Sequence, residues 1–214
     1  VAVSSTNRGA TRQELDYYRT DPAEIAVFLR EWFNDVPSAR ELLTTGTVLD
    51  PCAGGNVKPV QWEYKKGEVA TIQPSTMSYP EAIAAVTGNV VVTNDVRPDS
   101  PAMMHHDFLT GDLGLSKQPE VIITNPPFSI AQQVIEKSLT MVPVGGLVVM
   151  LLRLNFFGSD KRFPFFQGKM PQRAYVHHRR MGFTPDGKTD SIEYMHAVWH
   201  RARVPSPATT LRVI

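Results

Sequence analysis

The chain has almost no cysteine: Cys52 is the single one in 214 residues. No internal disulfide can therefore form, and a reducing, cytoplasmic interior is the natural setting. Long apolar runs are missing too. The longest, Gly146 to Leu152, is strand-sized, well short of the roughly 20 residues that span a bilayer. No signal-peptide pattern is present, so no membrane partner is expected. Net charge is only +1 at pH 7, which neither demands nor excludes a nucleic-acid partner. The adjacent pair His105-His106 lacks metal-site spacing, since neighbours in an extended segment point apart. No metal is expected, and no internal repeat is visible.

What is present suits one full core, an α/β domain over 17–204 between a loose arm at 1–16 and a tail at 205–214. Thr20 or Asp21 can cap a helix over Ala23–Phe33, with Pro22 in its first turn and Ile25, Phe28, Leu29 and Trp32 at helical spacing. Tyr18 and Thr20, ahead of that cap, are placed to touch a ligand. Thr47–Asp50 reads as a strand and Pro51-Cys52-Ala53-Gly54-Gly55 as the tight turn after it. Gln61–Ile72 reads as a hairpin insertion, and Tyr79-Pro80-Glu81 opens a short helix that Gly88 ends. Asn89–Asp95 is a second strand finishing on a carboxylate.

A parallel sheet binds ligands at the carboxyl ends of its strands. Asp50 and Asp95 fall at such ends, and Asp95 is suited to hold ribose hydroxyls; each is also compatible with an ordinary loop acid. Asp107 can accept from an exocyclic amine such as that of adenine. The stretch Val121-Ile-Ile-Thr-Asn-Pro-Pro-Phe-Ser129 is a buried strand stopped by two prolines. Pro126 and Pro127 fix their own φ and hold Asn125 extended. That corner suits a planar amine: Asn125 Oδ1 and the Pro126 carbonyl accept its hydrogens while Phe128 stacks on the ring. An ordinary turn after a core strand has the same spelling. Further on come a helix through Ile130, Val134, Ile135 and Leu139, a strand at Leu147–Leu152, and strands at Arg173–His178 and Glu193–His200. Between the last two lies a basic loop over 179–191, with Arg179, Arg180 and Lys188 as phosphate contacts or a solvated face.

In this order the pieces resemble the S-adenosylmethionine-dependent amino-methyltransferases, and among them the DNA adenine-N6 methyltransferases of bacteriophage and restriction-modification type. Asp50-Pro-Cys-Ala-Gly-Gly55 is similar to that family's cofactor motif and Asn125-Pro-Pro-Phe128 to its catalytic tetrapeptide. Tyr18-Arg-Thr20 is similar to its N-terminal cofactor segment, and Gly182–Ser191 with Glu193, Tyr194 and Trp199 to the C-terminal signature of small phage members. Asn56 stands where many relatives have a further glycine. The resemblance implies a Rossmann-like class I methyltransferase fold with an antiparallel C-terminal strand. It also implies that S-adenosylmethionine is bound by Tyr18, Thr20, Asp50, Pro51, Ala53, Gly54, Asp95, Asp107 and Asn125, leaving S-adenosylhomocysteine. The acceptor it implies is DNA with the target adenine flipped out, in a bacterial or phage-infected cell. Phe128 would stack on that base, with Phe183 or Phe157 on its other face or in the core.

Without an appended recognition domain, a short target, a homo-oligomer or an accessory subunit is expected. An RNA base amine or a protein glutamine are alternative acceptors. With about one helix ahead of the cofactor motif, the glutamine enzymes' preceding helical domain is missing. An inactive fold serving as a binding module is the alternative of another class.

Overall fold

The computed structural model describes residues 19–63, 67, 69–183, 192–202 and 208–214; Tyr18, Lys188 and most of the basic loop lie outside them. Nine strands and five α-helices follow in the order α1 (Pro22–Asp35), α2 (Pro37–Thr45), β1 (Val48–Asp50), β2 (Val60–Glu63), β3 (Val69–Ile72), α3 (Ser78–Thr87), β4 (Val92–Thr93), β5 (Val121–Thr124), α4 (Ala131–Met141), β6 (Leu147–Arg153), α5 (Phe163–Phe166), β7 (Arg173–Val176), β8 (Tyr194–His200) and β9 (Thr210–Val213). Seven strands form one sheet in the order β4-β1-β5-β6-β8-β7-β9, while β2 and β3 make the separate hairpin expected at 61–72. Within the seven-stranded sheet, among the described residues, β8 alone runs antiparallel to its neighbours. The expected mostly parallel sheet with an antiparallel strand near the C-terminus is therefore present.

The sheet is buried on both faces because its central strands β5 and β6 are apolar up to their last residues, Thr124 and Arg153. Alternation assigns the faces. Leu147, Val149 and Leu151 of β6 pack with α1 to α3 in one core, and Val148, Met150 and Leu152 pack with α4 and Phe165 in the other. Helix α1 starts where Asp21 accepts from the Ala23 amide at 2.9 Å and Pro22 occupies the first turn. It buries Ile25, Phe28, Leu29 and Trp32 completely, each worth about 1.5–3 kcal/mol. Phe28→Ala would remove the ring stacked on both Trp32 and His196, at about 3–5 kcal/mol.

Three expectations need correction. Two helices precede β1, because Pro37 opens α2 directly after α1 closes on Val36. The strand read over Asn89–Asp95 is only Val92–Thr93, since Val90 is 73% exposed. The segment after 204 does not simply trail away: Thr210–Val213 adds β9, parallel to β7, and Arg212 pairs with Glu31 and Asp35 of α1. Phe157 packs on Phe166 with the second core, one of the two places expected for it.

The chain runs from β1 outward to β4 and then returns to β5 on β1's other side. That reversal opens a crevice at the carboxyl ends of β1 and β5, where ligands of open α/β sheets bind. The same edge receives the ends of β4, β6 and β7 and the start of β8.

Candidate functional site

A cavity of about 410 Å³ sits in that crevice, within the usual range for a small-molecule site. Its walls come from the turn after β1 (Pro51 to Gly55), the end of β4 (Asp95 to Arg97), the start of α3 (Ser78, Tyr79), the segment from His106 to Leu109, and the corner after β5 (Asn125, Pro127, Ser129, Ile130). Arg19 and Thr20 close it from the side of α1.

The turn after β1 is held open by fixed hydrogen bonds. Gly54 and Gly55 both adopt left-handed φ, 70° and 72°, which glycine reaches without Cβ strain. Asp95 Oδ2 accepts from the Gly54 amide at 2.8 Å, and Oδ1 from the Arg97 amide at 2.9 Å and Arg97 Nε at 3.2 Å. Arg97 also donates to the Gly55 carbonyl at 2.7 Å. The Asp95 carboxylate thus braces the glycine turn, using about three of its roughly four acceptor positions. Little of it remains for a pair of ribose hydroxyls.

Asp50 is fully buried and does not line the cavity. Its Oδ1 accepts from the Cys52 amide at 3.2 Å. Burial pushes its carboxyl up to about 7. Its place is behind the turn, shaping it from below. Burial likewise pushes the Cys52 thiol well up, with Asp50 next in effect, so Cys52 stays protonated and is no nucleophile.

Asn56 accounts for its place in the motif. Its Nδ2 donates to the Lys58 and Gln73 carbonyls, and Oδ1 accepts from Ser75 Oγ at 2.6 Å. One side chain therefore ties both strands of the hairpin base to the glycine turn.

Across the cavity, Phe108, Leu109, Ile130 and Val134 make an apolar wall beside Asp107. Asp107 is exposed, and the Leu109 amide donating to its Oδ1 at 2.8 Å holds its carboxyl below the usual range. A flat apolar slot with an ionised acceptor at its rim suits a purine bearing an exocyclic amine. The residues present thus fit an adenosyl group: a slot for its base, a glycine turn of small side chains, and sufficient volume.

At the corner, Asn125 Nδ2 donates to Thr20 Oγ1 at 3.2 Å, which fixes the amide's orientation and joins the arm to the tetrapeptide. Thr20 is 2% exposed. Phe128 does not line the cavity; it lies on the corner's other side, 5.8 Å from Tyr194, with the Arg153 guanidinium 4.5 Å from its ring centroid. Phe183 sets its edge on Tyr194 at 4.7 Å. Arg179 and Arg180 are exposed just past β7, and Arg180 sits 3.7 Å from Glu193. Pro126 is buried. Among the described residues no group of His, Cys, Asp or Glu could hold a metal, and no helix is long and apolar enough to cross a membrane.

Sequence reading missed a buried polar chain behind the cavity. Tyr79 Oη lies 2.8 Å from His196 Nε2, His196 Nδ1 lies 2.8 Å from His177 Nε2, and His177 Nδ1 faces Glu24 at 3.7 Å. With its proton on Nδ1, towards the carboxylate, His177 would accept at Nε2 from His196 Nδ1–H and His196 Nε2 from the phenol; the opposite tautomers reverse both bonds. Burial holds His177 down to about 4 and His196 well below its usual value, so both stay neutral. Arg153, Arg97 and Tyr79 were also missed. Their only sequence signal was position at or just beyond a strand or helix end, which singles out nothing by itself.

No protein-family model matches the chain, and no curated protein matches it by sequence. Solved structures do match. A protein of Pyrococcus horikoshii assigned as an RNA methyltransferase superposes at TM-score 0.56 and 12% identity, covering 91% of each chain. A Listeria monocytogenes protein assigned as a class I S-adenosylmethionine-dependent methyltransferase gives 0.53 and 13%, covering 90% of this chain and 64% of that one. A Lactococcus lactis protein assigned as a hemolysin gives 0.52 and 10%, with 89% and 92% covered. Identities this low speak to the fold alone, and one fold hosts many functions. With its strand order and single reversed strand, the chain has the Rossmann-like class I methyltransferase fold.

Proposed function

We propose that this protein transfers a methyl group from S-adenosylmethionine to the exocyclic N6 amine of adenine in DNA. One observation carries the reading. Asn125 reaches the cavity from the end of β5 with its amide fixed by Thr20, while Phe128 of the same tetrapeptide faces away from the cavity. The corner thereby separates a donor side from an acceptor side.

S-adenosylmethionine, when bound, supplies a methyl group on an activated sulfonium. Its holders would be the glycine turn, the wall of Phe108, Leu109, Ile130 and Val134, and Asp107 at the adenine amine. Asn125 Oδ1 and the Pro126 carbonyl accept the two hydrogens of the target amine. Its lone pair, otherwise delocalised into the ring, is drawn towards a tetrahedral arrangement. Phe128 stacks on the base, and the prolines keep both acceptors rigid, so most of the catalysis is positioning in a prepared polar site. Reaching this corner from a duplex requires a flipped-out base. Arg179 and Arg180 flank the route as phosphate contacts. Lys188 has the same proposed role and Tyr18 a proposed cofactor contact. A DNA-bound complex with a second copy or a recognition subunit would supply target choice.

The test is transfer of tritium from labelled S-adenosylmethionine to unmethylated DNA, followed by nucleoside digestion. Label in N6-methyladenine is the expected result. Label only in RNA or protein would refute the DNA acceptor, and absence of cofactor binding by calorimetry would favour an idle binding module.

A further inference from the structure

We infer that Arg153 is the receiving group for an acceptor phosphate, a site that makes the acceptor a nucleic acid strand rather than an amide side chain; this rests on the methyl-transfer reading above. Arg153 ends β6, the strand beside β5, and stands opposite Tyr194 in the β6–β8 ladder. Its guanidinium lies over Phe128, 4.5 Å from the ring centroid. The Nε is buried with no hydrogen-bond partner, and no carboxylate pairs with the side chain among the described residues. Glu193, next to Tyr194, is directed to Arg180.

Arg153 is half-buried, and its Nε is the part withdrawn from water; a buried donor without an acceptor is costly. A stacking contact with a ring offsets only part of that cost. The Nε therefore lacks an acceptor, an anion is the strongest one a guanidinium can take, and the question is whose. Arg153, like Phe128, is not part of the cavity wall, so the carboxylate of the methyl donor does not reach it through the cavity. The anion must arrive on the outer side of the Asn125 corner, where the acceptor enters. β6 and β7 run parallel through the antiparallel β8 between them. Arg153, Arg179 and Arg180 therefore emerge at one edge of the sheet, and Arg153 is the one in contact with the tetrapeptide. A planar guanidinium matches a phosphate in bidentate fashion. A glutamine side chain brings no such anion.

The test is binding of a fluorescently labelled, adenine-containing DNA duplex across a salt series, with S-adenosylhomocysteine present, for the parent chain, Arg153→Ala and Arg153→Lys. Losing one phosphate contact should lower the slope of log K against log salt by about one. It should also raise KM for the duplex by about ten-fold or more at moderate salt, a larger change than in kcat. Arg153→Lys should restore the slope by keeping the charge. Near-UV circular dichroism checks folding, and Arg153→Gln replaces Arg153→Ala if the latter unfolds. Parent-like slopes in Arg153→Ala or Arg153→Gln, while the parent methylates DNA, would overturn this site and leave the methyl-transfer reading standing. A parent chain that binds cofactor but shows no salt-dependent binding of DNA would overturn both the site and the DNA acceptor.

Discussion

The two sides of the Asn125 corner are built differently. On the cavity side, Asp95, Arg97 and Asn94 are answered from within the chain. Asp95 takes three donors, Arg97 reaches the Gly55 carbonyl, and Asn94 bonds the Pro51 and His106 carbonyls and the His106 amide. On the outer side, rings and cations dominate: Arg153 on Phe128, Phe183 on Tyr194, and Arg180 in a long, half-exposed ion pair. The first side is set before anything binds, while the second leaves its cations loosely held, as the proposed nucleic-acid acceptor would need. A donor of constant shape can be met by a rigid mould. A flexible strand that must present one base is better met by a rim that adapts.

That contrast is broken most severely at the corner itself. Asn125→Ala should lower transfer by about 10³-fold, the upper range for removing one prepared hydrogen-bonding group. Cofactor affinity should change little, because the amide's proposed partner is the acceptor. Tritium transfer and calorimetry on one preparation would check this, and a matching loss of cofactor binding would place Asn125 on the donor side.

Asp95→Ala attacks the mould instead. The carboxylate and Arg97 are 8% and 10% exposed, and breaking such a buried pair from one end costs about 3 kcal/mol. The melting temperature should fall and cofactor affinity weaken, with transfer recovering at saturating cofactor. A variant that melts like the parent would show that the brace is not what holds Gly54.

How far the contrast was legible in the sequence follows from which contacts are local. Val121–Thr124 with its two prolines declared both a strand and its end, and the apolar run at Leu147 declared a strand buried on both faces. Asp21, Pro22 and the spacing from Ile25 declared α1. Helix α2 buries only Ala39 and Leu43, too little periodicity to register. β9 has four exposed residues and takes its structure from the free edge of β7. Asp95 lines the cavity as expected, and its added role as a brace was not legible because it depends on Arg97, two residues on, folding back onto it. Arg153, His177 and His196 gain meaning only from strand pairing: Tyr175 faces His196 across β7 and β8, and no local pattern announces that.

Protonation gives a smaller, opposed pair of effects. His177 is held near 4, against 6.5 unfolded. The unfolded chain therefore binds the extra proton in that window, and stability is lost as pH falls from 6.5 towards 4. Asp50 is raised from 3.8 to about 7. The folded chain holds that proton, and stability is lost as pH rises from 3.8 towards 7. The two partly cancel, so the parent's melting temperature should vary modestly over this range. Asp50→Asn removes one term and should leave a curve that drops more steeply on acidification. A curve parallel to the parent's would mean that Asp50 is ionised in the folded chain.

The smallest effect on stability should come from the outer rim. Arg180 and Glu193 are 54% and 52% exposed at 3.7 Å, and pairs of that kind contribute under about 0.5 kcal/mol. Arg180→Ala should therefore melt like the parent while its DNA affinity loses part of its salt dependence. Side chains of the mould should carry stability and those of the rim should carry affinity, because a solvated, weakly paired surface charge contributes little to the folded chain and still attracts phosphate. If Arg180→Ala instead lowered the melting temperature as far as Asp95→Ala does, the rim would be part of the scaffold, and its charge would no longer point to a partner.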